Sequence, residues 1–361
     1  MTKQNPVQET PAISLAEPLY LSTAKIVLQE GNGTFEIPEQ DTLPCRHRKL
    51  LTPTEPVLLL GDSRWCNYQC SACVQLASSA AENFAAVGLR YHTVATATDG
   101  SGYSLRLYGN GCWVLVGSEA VLCSGTVPAF DHTQKHALAV LGIGTLILGM
   151  IDGRTVCEFQ TAGKPAARSG FMWLQSALFT NTFSDITIKP LPVSLSPYCF
   201  RTACTPPQVR YLTDGVHHWA ASHKGVAGCV AEIRFYGNGI FLIGRTEYAK
   251  LKLWLDGHLY TKEMQIDRSH IGEAFFTAEG LSAGWHTLRM KITEGALTMD
   301  ALEIPTKNAG EKPPLLPPDS DAVTPAAPLH RGRTAAALTG TAAAGLVLSF
   351  TMSRFLKTRR K

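Results

Sequence analysis

Cys66, Cys70 and Cys73 stand in a C-x3-C-x2-C spacing within SRWCNYQCSACVQL (63–76). Three thiolates at that spacing can hold three irons of a four-iron cluster, provided a loop lets the sulfurs converge. On a strand the sulfurs cannot meet: residues 66, 68, 70, 72 and 74 face one way and Cys73 the other. Cluster loops of the radical type also follow the first strand of a βα barrel, which needs repeated amphipathic helices. This chain offers no apolar stripe at helical spacing longer than two turns before its C-terminal segment. The cysteine spacing therefore reads as strand, and cluster chemistry is the minor reading.

Other residues that could do chemistry are dispersed. Asp62, Asp185, Asp214, Asp256 and Asp300 sit at turns or strand ends, where Asp serves local hydrogen bonding. No acid and base pair stands out, and no nucleophile elbow, P-loop or zinc-ligand spacing occurs, so no catalytic residue is assigned. His217 and His218 are adjacent and would face opposite sides of a strand, a weak metal signal. The aromatics remain. Aromatic faces pack on the C–H faces of sugars, and neighbouring Asn or Arg can bind hydroxyls. Trp113, Trp254 and Trp285 alternate with aliphatics and read as core, whereas Trp219, beside the His pair, reads as a loop or edge candidate.

The elements that must position these residues are short strands. From about 55 to 306 alternating runs are broken by Gly, Asn and Asp, with hairpin signals at Gly109-Asn110-Gly111, Asp152-Gly153 and Asp256-Gly257. That pattern means sandwiches or barrels. RLYGNGCWVLVG (106–117) is echoed by RFYGNGIFLIG (234–244), and KHALAVLG (135–142) by WHTLRMKI (285–292), as two related sandwiches would be. The expected fold is all-β, with two antiparallel β-sandwich jelly rolls followed by a Pro-rich linker and one C-terminal transmembrane helix. The expected division is a disordered segment 1–17, a first sandwich 18–192, a linker 193–204, a second sandwich 205–306, a stalk 307–333, a membrane helix 334–353 and a basic tail 354–361.

Residues 334–353 carry no charge, about the length that spans a bilayer, and RFLKTRRK follows them, which would hold the C-terminus in the cytoplasm. The bland alternative is a solvated Ala-rich helix. Everything before the segment would then lie at the cell surface, although no export signal is visible in MTKQNPVQETPAISLAEP. The formal net charge is only +4 and is concentrated in the tail, which points away from nucleic acid as a partner. Ten cysteines do not make a disulfide scaffold in 361 residues. A tight hairpin at Gly117-Ser118 would set Cys112 opposite Cys123, and Cys199 lies near Cys204 in CFRTACTPP; free buried thiols are the equal alternative.

Motifs in fixed order add a resemblance. GDSRWCNYQCSACVQL, VGLRYHT, GYSLRLYGNGCWVLVG, VLCSGTV, HALAVLGIGTLILGMIDGRTV and FSDITIKPL resemble the lectin-like, non-catalytic C-terminal part of galactocerebrosidase-type glycosidases, glycoside hydrolase family 59. The likeness covers roughly residues 18–192. Residues 205–306 look more loosely like a galactose-binding accessory jelly roll, through IRFYGNGIFLIG, LKLWLDGHLY and LSAGWHTLRMKI. The family's catalytic barrel is absent from this chain, and no Glu here inherits its roles. The resemblance implies a calcium position at Asp185, but the entry motif Leu19-Tyr20-Leu21-Ser22 lacks carboxylates, and calcium prefers six to eight oxygens.

The expected function is thus binding of a galactose-containing glycan or glycolipid, near a catalytic glycosidase unit encoded upstream or on another chain. The expected contact residues are Arg106, Tyr108, Asn110, Trp173, His218 and Trp219. The alternatives are an active hydrolase whose barrel lies upstream, and a structural surface or adhesion protein without a sugar pocket.

Overall fold

A computed structural model describes residues 13–314, with interruptions at 14, 16, 30–31, 38–44, 49–55, 94–99, 118–119, 192–195, 207, 213–215 and 271. The stalk beyond 314, the segment 334–353, the basic tail and most of 1–17 lie outside the described residues. Among the described residues no helix is long and apolar enough to cross a membrane.

The chain forms β1 (Leu19–Gln29), β2 (Asn32–Glu36), β3 (Cys45–Arg48), β4 (Val57–Leu60), β5 (Tyr68–Gln75), β6 (Phe84–Thr93) and β7 (Gly100–Tyr108). There follow β8 (Cys112–Gly117), β9 (Ala120–Thr126), β10 (His136–Ile143), β11 (Leu146–Ile151), β12 (Arg154–Gln160), β13 (Ala166–Ala167), β14 (Phe171–Ser176) and β15 (Thr182–Pro190). The second unit holds β16 (Tyr198–Ala203), β17 (Val209–Leu212), β18 (Lys224–Val226), β19 (Val230–Leu255), β20 (His258–Ile266) and β21 (Glu273–Thr306).

The first unit has two seven-stranded antiparallel sheets, in the orders β12-β11-β10-β5-β15-β1-β2 and β3-β4-β14-β6-β7-β8-β9. Alternation decides what each strand buries. Cys70, Ala72 and Val74 of β5 meet Ala85, Val87 and Leu89 of β6 and Tyr103, Leu105 and Leu107 of β7 in one core. The cysteine run behaves as its alternation requires. Cys70 is buried in that core, its thiol bonded to Gly88 O (3.3 Å) and pushed well up by burial, whereas Cys73 lies on the opposite face.

The second unit winds two long strands, β19 and β21, around a core that includes Ile233, Phe235, Leu251, Leu288 and Met290. Residues 198–203, expected in the linker, are strand: β16 pairs with the end of β21, Tyr198 opposite Thr306. The reason lies in YCFRTA itself, a run that buries Tyr198 and Cys199 and finds an unpaired edge. The two units are also joined through backbone, since β13 pairs with Ala274 and Glu273 of β21, and Trp65 bridges to Tyr198.

The echo between the halves is structural. Each sandwich has a hairpin whose first turn residue is an Asp at positive φ, Asp152 (49°) and Asp256 (50°), followed by a Gly. Each Asp accepts from a His on the neighbouring strand, His136 Nδ1 (2.8 Å) or His286 Nδ1 (2.7 Å), and from the backbone N–H of the next residue. The far His nitrogen bonds a backbone carbonyl, Asp131 O or Ser282 O. Asp tolerates the left-handed turn and Ala does not, so Asp256→Ala should lose both the bonds and the turn. The expected cost is about 1–3 kcal/mol in urea unfolding; a change within about 0.5 kcal/mol would show the clamp to be incidental.

Two expected features are corrected here. Cys112 lies opposite Thr126 and Cys123 opposite Leu115, so the hairpin does not make the two cysteines partners. The turn sets Gly117 opposite Ala120, which already carries Cys112 past Cys123, and an irregularity between Leu115 and Val116 shifts the register one step more. Cys199 in β16 and Cys204 just after it are likewise separate buried thiols. Trp285, expected in the core, is 43% exposed; it stands opposite Tyr236 in the β19–β21 ladder with ring centroids 5.4 Å apart. Trp113 is core as expected.

Candidate functional site

Three of the expected contact residues meet on one surface. Ser104, Arg106 and Tyr108 alternate with the core residues of β7 and therefore face outward from the second sheet of the first sandwich. Register sets their neighbours. Arg106 is opposite Ala86, which is opposite Gln175; Ser104 is opposite Gly88, which is opposite Trp173. Successive strands lie about 4.8 Å apart, and residues i and i+2 about 7 Å apart. The Ser104–Trp173 row and the Arg106 row thus frame an area about the size of one or two sugar rings.

Gly88 makes this face possible. A Cβ there would collide with the indole of Trp173, so the glycine lets the ring lie across β6 toward Ser104. Tyr91 packs against the same indole at 5.0 Å, and Val57, Leu59 and Phe171 complete a closed apolar patch around it. At the more open side, the Arg106 guanidinium sits over the Phe84 ring at 4.9 Å, and Phe84 contacts Tyr108 at 5.6 Å. Tyr108 and Arg106 are half-buried; Ser104 is fully buried.

The polar atoms of this face are the notable feature. Ser104 Oγ, Arg106 Nε and Trp173 Nε1 are all buried, and none has a hydrogen-bond partner. Buried polar groups are nearly always satisfied, and an orphan costs roughly 1–3 kcal/mol. All three lie on one face of one sheet, beside aromatic rings, and are shielded from solvent by the protein itself.

The other expected residues lie elsewhere. Asn110 is exposed in the β7–β8 turn, where its Oδ1 accepts from Cys112 N at 3.0 Å. Trp219 belongs to the second sandwich, where Nε1 donates to Val230 O (2.9 Å) and the ring packs on Tyr211 at 4.9 Å; it is a supporting residue. His218 beside it is exposed. Asp185 is exposed at an irregularity of β15 with φ of 52°, where Oδ2 accepts from Ser184 Oγ at 3.1 Å. Among the described residues no group of three or more His, Cys, Asp or Glu is arranged to hold a metal ion.

One polar cluster escaped the sequence. His92, Ser169, Arg201 and Glu303 meet where the two sandwiches join, two residues from each unit. Ser169 Oγ donates to Glu303 Oε1 (2.7 Å), and Arg201 Nη1 donates to the same oxygen (2.7 Å). His92 Nε2 lies 3.2 Å from Ser169 Oγ, and Arg201 Nη1 lies 3.3 Å from Nε2 and 3.4 Å from Nδ1 of the same ring. Burial pushes Glu303 up, but the Arg201 charge and the two hydrogen bonds outweigh it and leave the carboxyl below its usual range. Burial and then Arg201 hold His92 down to about 3, so the ring is neutral. A Ser, a His and a Glu invite comparison with a hydrolase triad. Here the hydroxyl donates to the carboxylate and all three residues are buried, so no nucleophile is generated. The cluster is a latch between the units. Contacts between residues 77 to 134 positions apart create it.

No protein-family profile matches the chain, and no curated protein matches it. Solved structures are similar over about half of it. The carbohydrate-binding module CBM66 from Bacillus subtilis shares 11% identity, covering 47% of this chain and 96% of its own, with a TM-score of 0.34. A Bacillus subtilis protein of unknown function with a galectin-like fold shares 6% identity over 51% of this chain and 97% of its own, with a TM-score of 0.33. The exoplasmic/lumenal domain of VIP36, in a form bound to Ca2+ and Man3GlcNAc, shares 10% identity over 44% of this chain and 88% of its own, with a TM-score of 0.32.

Proposed function

We propose that the chain binds carbohydrate on the outer face of the β3-β4-β14-β6-β7-β8-β9 sheet, through Ser104, Arg106 and Trp173 with Tyr108 as the stacking ring. The observation that carries this is the set of three buried, unpartnered polar atoms on one face. Sugar hydroxyls both donate and accept, so one or two rings can satisfy an indole N–H, a guanidinium N–H and a Ser hydroxyl together. The ring face of Tyr108, stacked on Phe84, offers a platform for sugar C–H groups.

The resemblance of residues 18–192 to the lectin-like part of family 59 favours a galactose-containing glycan or glycolipid. In this reading the chain is a non-catalytic binding unit. The Pro-rich stalk and the uncharged segment 334–353 would hold it at the cell surface, near a glycosidase encoded upstream or on another chain. Binding uses hydrogen bonds and stacking and needs no calcium at Asp185.

The test is retention of the purified protein on an array of galactose-containing and other glycans, with and without a chelator. Galactosides should be retained equally in both conditions; failure on every glycan would favour a purely structural surface protein. A paired prediction separates binding from folding. Ser104→Ala removes a buried orphan hydroxyl, so stability should stay level or rise by up to about 1 kcal/mol. Affinity for the retained glycan should fall about tenfold, the equivalent of 1.4 kcal/mol. A variant that binds as well as the parent would remove Ser104 from the site.

A further inference from the structure

The expected cysteine pairs fail on register, yet the cysteines do not end up isolated. Cys123 stands on β9 and Cys157 on β12, the outermost strands of the two opposed sheets on the same side of the first sandwich. Both thiols belong to the core side: Cys157 is buried within it and Cys123 packs against it. The two strands are in contact across this open edge, and burial together with the neighbouring Cys123 pushes the Cys157 thiol up to about 11. Gly149, opposite Cys157 in β11, leaves the space the Cys157 sulfur occupies, since a Cβ there would press on Sγ.

A second pair joins the two units. Cys66 N donates to Pro197 O (2.8 Å) and Cys199 N to Arg64 O (2.9 Å), on either side of the Trp65–Tyr198 bridge. Both thiols are buried there, diagonal to each other across this short ladder, and Cys66 adds to burial in pushing the Cys199 thiol up. Cys112, Cys204 and Cys229, by contrast, have no such contact described.

We propose that Cys123–Cys157 and Cys66–Cys199 are disulfide sites, the first stapling the open edge of the sandwich and the second locking the two units together. In each, two thiols give up two protons and two electrons to a disulfide oxidant, such as glutathione disulfide, which is released as two thiols. The exchange runs through a mixed disulfide on the attacking thiolate. Cys123 is half-exposed and can be attacked in the folded protein, whereas Cys66 and Cys199 are covered and would have to pair during folding. Both linkages persist only in an oxidising compartment.

The experiment is refolding of the reduced full chain, with detergent present, in a glutathione redox buffer. Free thiols are then blocked with N-ethylmaleimide and the unreduced digest is mapped by mass spectrometry. The expected result is two linked peptide pairs, Cys123 with Cys157 and Cys66 with Cys199, and alkylated Cys112 and Cys204. Reduction should then lower the melting temperature by roughly 5–10 °C, and the Cys123→Ser variant should show a smaller drop. Each linkage is judged by its own peptide. Full alkylation of a pair, or recovery of Cys112–Cys123 or Cys199–Cys204 instead, overturns it.

Discussion

Replacing Arg90 with Met should lower the unfolding free energy by about 3–5 kcal/mol, enough to leave most of the chain unfolded in moderate urea. Arg90 is 1% exposed, yet no carboxylate faces it. Its guanidinium is held by oxygens: Nε donates to Cys66 O (2.8 Å), Nη1 to Gly144 O (2.9 Å), and Nη1 and Nη2 reach Ala167 O and Asn67 Oδ1 at 3.4 Å. The backbone that aims it is a bulge in β6 with φ of 57°, pinned where Arg90 N donates to the Tyr68 hydroxyl (2.8 Å). Gly142 makes room, since a Cβ there would press on the guanidinium. Met fills part of the volume but leaves carbonyls from three segments without donors. Lys, a single ammonium, can serve only some of them and should recover part of the loss. A loss below 1 kcal/mol in Arg90→Met would show that water replaces the cage.

Stability should also fall steeply in acid. His92 titrates near 3 in the folded protein and near 6.5 when exposed by unfolding. Between those values the unfolded chain binds a proton that the folded chain refuses, so stability rises with pH across that window. The sign is therefore loss on acidification, beginning near pH 6.5, at up to roughly 1.4 kcal/mol per pH unit from this group. Glu303 acts in the same direction. Its folded pKa is depressed, so its contribution is present above the ordinary carboxylate range and disappears as pH falls through the folded value. Replacing His92 with Gln, which keeps polar contacts but cannot take up a proton, should flatten the pH 6.5 to 4.5 part of the profile. Urea unfolding at stepped pH measures this; an unchanged slope in His92→Gln would move the acid sensitivity elsewhere.

Local chemistry was legible in the sequence, and long-range chemistry was not. Asp152-Gly153 and Asp256-Gly257 announce hairpins because only a few residues tolerate positive φ, and the structure has both. The strand reading of the cysteine run follows from alternation alone. Arg106, Tyr108 and Trp173 were named as separate candidates, and register brings them to one face, but Ser104 and Gly88 carry no sign of their role. Trp219 and Trp285 exchanged places relative to expectation. Which aromatic is covered depends on what strand lies above it, here Tyr211 over one and solvent beside the other. Cysteine pairing failed because the turn lies further along than expected: Gly117 faces Ala120, which already carries Cys112 past Cys123, and the irregularity in β8–β9 adds one further step. Arg90 and the His92–Glu303 latch depend on contacts between distant segments, which no local pattern encodes.

The claim that the β3–β9 sheet is a sugar-binding face is tested most directly by calorimetric titration of the best-retained glycan into the full chain, Trp173→Phe and Arg106→Met. Trp173→Phe keeps an aromatic ring toward Tyr91 but removes the indole N–H together with the five-membered ring; Arg106→Met keeps the stem over Phe84 and removes the donors. The expected result is saturable binding by the parent, a loss of about tenfold or more in each variant, and unfolding free energies within about 1 kcal/mol of the parent. Equal affinity in all three proteins would place the glycan elsewhere and contradict the account.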